Sequence, residues 1–118
     1  MKVIIAGGRD FNNPQMMEEE IAKLGIDITE VVCGEARGAD TLGADWANRH
    51  GITVSYFPAH WDEFGKAAGT IRNHQMGDYA DYLIAFWDGK SRGTRDMINY
   101  MEQIGKHGKV IRYEISSN

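Results

Sequence analysis

Five short apolar runs, each but the last followed by a stretch with helical spacing, constrain this chain more than any other feature. The runs are "KVIIA" (2–6), "EVVCG" (30–34), "TVSYFP" (53–58), "YLIAFW" (82–87) and "KVIRYEI" (109–115). They have the length of strands and are rich in β-branched and aromatic residues. Pro14 opens the first helical stretch with Asn13 as its N-cap, and Gly25 closes it. The second begins near Gly38, carries Ala39, Leu42, Trp46 and Ala47 at spacings of three or four toward a core, and stops at Gly51. A long connection, "AHWDEFGKAAG", precedes a helix that starts at Lys66 or Thr70 and runs to Ala80. In the last helix (93–106), Met97, Ile98, Met101 and Ile104 form the buried stripe.

Strict alternation of strand and helix, with central strands apolar on both faces, requires a parallel sheet covered on both sides. The expected class is α/β: a Rossmann-like three-layer sandwich around a mostly parallel five-stranded sheet with helices on both faces. Right-handed crossovers favour the strand order 3-2-1-4-5. A length of 118 residues suits one domain over 1–118. The order puts the chain reversal between strands 1 and 4, so the turns after strands 1, 2 and 4 gather at one sheet edge, where open α/β sheets take their ligands.

Composition removes several classes of function. Hydrophobic residues are 42% and charged residues 25% of the chain, as in globular proteins. The longest apolar run, Tyr82 to Trp87, is too short to cross a bilayer, and "MKVIIAGG" is too short for a signal peptide, so a cytoplasmic protein without a membrane partner is expected. Cys33 is the single cysteine, which excludes an internal disulfide and a cysteine zinc cage and leaves it as a small buried hydrophobe. His50, His60, His74 and His107 have no i, i+4 pairing to one another, so no metal and no cofactor are assigned. A formal charge of −4 opposes phosphate-backbone binding and makes nucleic acid the minority partner.

The three turns carry the candidate site. "GGRDF" (7–11) offers uncovered backbone at Gly7 and Gly8 and a phosphate-pairing fork at Arg9; alone it is as well read as a tight turn with a surface arginine. In "CGEARGAD" (33–40), Gly34 and Gly38 bracket a helix start beside Arg37, with Glu35 and Asp40 as carboxylates; the competing reading has Asp40 capping the helix and the charges solvated. In "WDGKSRGTRDM" (87–97), Ser91, Gly93 and Thr94 supply backbone and hydroxyls at another helix start, with Arg92 beside them. Arg72 and Asn73 in "IRNHQ" either reach a ligand or face water. Trp61 and Phe64 in "HWDEF" are better read as a hydrophobic latch for the long connection than as a platform for a base.

Taken together, "IIAGGRDF", "VVCGEARGADTLGADWA", "KAAGTIRNHQM" and "ADYLIAFWDGKSRGTRDMI" resemble the SLOG superfamily, named for the Smf/DprA and LOG proteins, and most closely its small YspA-like branch. The resemblance implies a Rossmann-like fold, a pocket for a nucleotide or nucleotide derivative, and a homodimer. LOG proteins are phosphoribohydrolases with a glutamate three residues after the threonine of their "GT"; here Met97 stands at that position after Thr94. Methionine exchanges no proton, so hydrolysis would have to draw its carboxylate from Asp96, Glu35 or Asp40.

The expected function is therefore binding of a nucleotide-derived small molecule, as sensor or sequestering protein. Gly7, Gly8, Arg9, Gly34, Arg37, Gly38, Ser91, Gly93 and Thr94 would line the phosphate and ribose subsites, with Arg92 and Arg72 as charge partners. Catalysis is left open. The alternatives are LOG-like hydrolysis and a DprA-like module for single-stranded nucleic acid.

Overall fold

The computed structural model describes residues 1–34 and 37–114. The strands are β1 (Lys2–Gly7), β2 (Glu30–Cys33), β3 (Thr53–Tyr56), β4 (Tyr82–Trp87) and β5 (Gly108–Arg112). The helices are α1 (Pro14–Leu24), α2 (Ala39–Arg49), α3 (Trp61–Phe64), α4 (Ala68–Tyr79) and α5 (Arg92–Gln103), with a 3-10 turn at Gly65–Ala67 leading into α4. The strands form one α/β sheet in the order β3-β2-β1-β4-β5, and all four pairings are parallel, which sharpens the mostly parallel sheet read from sequence.

Alternation along β1 explains the layers. Val3 and Ile5 point to a core completed by Met17 and Ile21 of α1 and Trp46 of α2, while Ile4 and Ala6 point to a core completed by Met76 of α4 and Met97 and Met101 of α5. Val3, Ile4 and Ile5 are wholly buried. At roughly 1.5–3 kcal/mol for each large apolar side chain removed from water, burial on both faces is the main force that holds the helices to the sheet. Phe11, in the connection after β1, stacks on Phe86 of β4 with ring centroids 4.6 Å apart, and so pins that turn to the neighbouring strand.

Local signals read from the sequence hold at the helix ends. The Asn13 side chain accepts from the Met16 N–H at 2.9 Å, Pro14 is the first residue of α1, and Gly25 ends it at φ 61°. Elsewhere the boundaries are tighter than the apolar runs suggest. β3 stops at Tyr56, β5 stops at Arg112, and α5 ends at Gln103, before Gly105 turns the chain at φ 75°. Residue 115, read as the end of the last strand, lies outside the described residues.

The latch expected from Trp61 and Phe64 is not formed. α3 is a four-residue helix, and these side chains are 55% and 40% exposed, because the connection returns to the fold through α4 instead. Cys33 is wholly buried, as its neighbours imply. No helix among the described residues is long and apolar enough to cross a membrane.

Two side chains at the sheet ends make opposite contributions. Lys106 Nζ donates to three carbonyls at the end of α4, those of Gly77 (2.7 Å), Asp78 (3.0 Å) and Ala80 (2.7 Å), so a cation closes the negative end of the helix. The Tyr113 hydroxyl, in contrast, is buried with no hydrogen-bond partner among the described residues, and burial pushes its ionisation up. Lys106→Met should therefore cost about 1–3 kcal/mol of unfolding free energy in urea denaturation. Tyr113→Phe should leave stability unchanged or raise it by up to about 1 kcal/mol, since it removes an unsatisfied group without a partner to strand. A clear loss in the phenylalanine variant would mean that the hydroxyl is bonded in solution.

Candidate functional site

The crevice at the C-terminal edge of the sheet is built where the chain leaves β1 in one direction and β4 in the other. The turn after β1 is joined to α2 by one atom: the Gly8 carbonyl accepts from the N–H of Phe11 and from the N–H of Ala39, both at 3.2 Å. That joint places the start of α2 against the first turn. Gly38, the N-cap of α2, sits at φ 73°, and a Cβ there would collide with the Gly8 and Arg9 carbonyls, so only glycine serves. Gly8 itself is buried, with the Tyr113 hydroxyl in the space that its side chain would need.

A cleft of about 280 Å³ opens between these segments and α5. Gly7 and Arg9 from the first turn, Asp40 from α2, and Ser91, Gly93 and Thr94 from the start of α5 line it. α4 contributes Arg72, Asn73 and Met76 from one face, and Ala6 and Met97 complete the apolar floor. Arg37 and Arg92 are exposed, and neither they nor Gly8, Gly38 and Asp96 line the cleft. Gly34 lines a neighbouring hollow that shares Asp40 with the cleft. Glu35 lies outside the described residues.

Asn73 is the residue that reasoning from sequence undervalued. It is buried at 6% exposure, and its amide nitrogen donates to the Gly93 carbonyl and to Asp96 Oδ2, each at 3.1 Å. Its Oδ1 in turn accepts from Arg72 Nε at 3.1 Å. A single amide thus ties α4 to the first turn of α5 and aims the Arg72 guanidinium, which also donates to the Phe57 carbonyl at 3.5 Å. Asp96 acts in this arrangement as the acceptor that orients Asn73, and His74 stands 3.6 Å from its other oxygen. The spacing of residues 72, 73 and 76 puts them on one helix face and was the available signal. The acceptors of Asn73 lie 20 and 23 residues away, out of reach of any local pattern.

The crevice holds unpartnered donors and cations beside the Asp40 carboxylate. The Ser91 side chain caps α5 by accepting from the Thr94 N–H at 3.5 Å, and the two hydroxyls are 3.1 Å apart. The N–H groups of Arg92 and Gly93 have no acceptor among the described residues, so the positive end of α5 is open. Arg9, Arg92, Arg95 and Arg112 also have no ion-pair partner among the described residues, where the pairs formed involve Lys23, Arg49, His50 and His74. Behind the helix start, Asp88 Oδ1 accepts from the N–H groups of Ser91 (2.9 Å) and Lys90 (2.8 Å), and these two bonds hold its carboxyl below the ordinary aspartate range. Among the described residues no three His, Cys, Asp or Glu side chains come together as metal ligands.

Comparison with known proteins shows what the chain is similar to. The profile of YAcAr, the YspA, cpYpsA-related SLOG family, matches residues 1–64, which include the first two turns. The chain is also similar to the Gene 61 protein of Mycobacterium phage D29, 37% identical over 81 residues, or 64% of this chain. The aligned stretch spans 65% of the phage protein's length.

The Asp88 turn sets a pH dependence with a definite sign. Its folded pKa is depressed, so the stabilisation is present above the unfolded value and is lost as pH falls through the folded one. The Asp88 carboxyl should titrate below 3.8 when followed by carbon NMR. The stability difference between wild type and Asp88→Ala should be constant near neutrality and shrink only in acid; a midpoint at or above 3.8 would contradict the turn geometry.

Proposed function

This chain belongs to the YspA, cpYpsA-related SLOG family, and from that premise we propose that it binds a nucleotide or nucleotide-derived small molecule in the cleft between β1 and β4, as a sensor or sequestering protein. The observation that carries the reading is the open start of α5. Two unpartnered N–H groups, the hydroxyls of Ser91 and Thr94, and Arg9 across the cleft together suit a phosphate. Asp40, buried at 7% exposure on the opposite wall, has the chemistry to accept from ribose hydroxyls. Arg72, aimed by Asn73, adds a second cation to the same space.

Binding without cleavage is favoured by Met97. Its thioether is 1% exposed on the cleft wall, at the position where a LOG-like hydrolase carries its carboxylate. Hydrolysis is the second reading, because Asp40 is a carboxylate lining the same cleft. A role in binding single strands is opposed by the net charge of −4.

Titration calorimetry against adenosine monophosphate, ADP-ribose, NAD and cyclic nucleotides tests the proposal, with base release followed chromatographically in the same samples. At least one ligand should give saturable heat. Arg9→Ala and Thr94→Val should each weaken it roughly tenfold, the scale of one lost charge-assisted or hydroxyl contact. Free base should not accumulate. Heat from none of the panel would defeat the binding reading, and base release abolished by Asp40→Asn would move the function to hydrolysis.

A further inference from the structure

A second hollow of about 370 Å³ lies on the other side of Asp40, toward the β3 edge. One stripe of α2, Thr41, Ala44, Asp45 and Asn48, forms one wall at the helical spacing i, i+3, i+4, i+7, and Tyr56 at the end of β3 forms the other. The hollow is polar along its helix wall. Asp45 and Asn48 are exposed, and neither side chain makes a hydrogen bond or ion pair with another described residue. Tyr56 is 51% exposed, although it ends a strand of the sheet, so its ring is available for contact.

The two hollows are neighbours that share one wall. Asp40 lines both, and Gly34 between them has no side chain; a Cβ there would collide with the Arg72 guanidinium and come within 3.0 Å of Asp40 Oδ2. A ligand with its phosphate at the start of α5 and its ribose at Asp40 would have the second hollow, with Tyr56 on its far wall, on the other side of that carboxylate. We propose that this second hollow holds the base of the ligand, and that the base is guanine. The inference rests on the phosphate seat proposed above.

The chemistry of the wall selects the base. Tyr56 supplies a stacking surface that any base accepts. Asp45 supplies two adjacent acceptors and no donor. Guanine presents two adjacent donors, N1–H and the exocyclic N2 amine, which match a carboxylate in a bidentate pair. Adenine presents one donor at N6 beside the N1 lone pair, which a carboxylate repels. Asn48, one turn further along the stripe, can donate to the guanine O6.

Calorimetry with guanosine, inosine and adenosine monophosphates and with ribose 5-phosphate separates this claim from the one it rests on. The guanine nucleotide should bind at least roughly tenfold more tightly than the adenine nucleotide, with inosine between them because it keeps N1–H but lacks the amine. Asp45→Asn, whose amide both donates and accepts, should collapse that ratio, and Tyr56→Ala should weaken all three nucleotides roughly tenfold. Neither variant should alter ribose 5-phosphate binding. Both side chains are exposed, so the fold is expected to survive, as circular dichroism would verify. Equal affinity for guanine and adenine, or a ratio unchanged in Asp45→Asn, overturns the guanine assignment while ribose 5-phosphate binding sustains the phosphate seat. Absence of binding by every compound overturns both.

Discussion

The Gly8 carbonyl holds the crevice together. By accepting from Phe11 within its own turn and from Ala39 at the start of α2, it couples two connections that are separated by the whole of α1 and β2. Its position is set from below by the sheet, since the Gly8 N–H donates to the Phe86 carbonyl of β4 at 3.1 Å, and from the side by the Phe11 ring stacked on Phe86. Because α2 spends its first N–H on this joint, its N-terminus is partly neutralised. The open helix start that remains at the cleft is that of α5, and the unpartnered N–H groups at the crevice are concentrated there.

A similar division of labour appears on the other face. α4 and α5 bury Met76, Met97 and Met101 against β1 and β4, which fixes their distance from the sheet. Apolar packing of this kind is non-directional and leaves rotation loosely specified. The direction comes from polar contacts: Asn73 ties the cleft-facing end of the helix pair, and Lys106 ties the far end through the last carbonyls of α4. Since Asn73 also aims Arg72, the geometry that registers the two helices is the same geometry that presents a cation to the cleft.

Charge is distributed unevenly for an acidic protein. The 17 carboxylates outnumber the 13 lysines and arginines, yet Arg9, Arg92, Arg95 and Arg112 at or beside the crevice have no carboxylate partner among the described residues. Arg95 and Arg112 instead lie near the Trp87 ring, 5.5 and 5.2 Å from its centroid. These arginines put positive charge at the mouth of a cleft whose wall also carries the Asp40 carboxylate, and the net negative charge elsewhere disfavours long polyanions that would contact a wider surface. Met97 adds to the apolar floor of the same cleft.

Much of this was legible in the amino-acid sequence. The five apolar runs and the helix signals at Asn13, Pro14 and Gly25 specify the elements, because strand and helix periodicity and capping are local properties. Right-handed crossovers then favour the order 3-2-1-4-5, and that order brings the turns after β1, β2 and β4 to one edge. Tertiary structure decided which side chains in those turns face the crevice. Arg9 and Arg72 enter it while Arg37 and Arg92 face solvent, Trp61 and Phe64 stay exposed, and Asn73 becomes a joint between helices. These outcomes depend on groups 20 or more residues apart, such as Lys106 and the Ala80 carbonyl. Periodicity says which residues share a face of an element; the rotation of that element against its neighbours is set only when distant polar groups find one another.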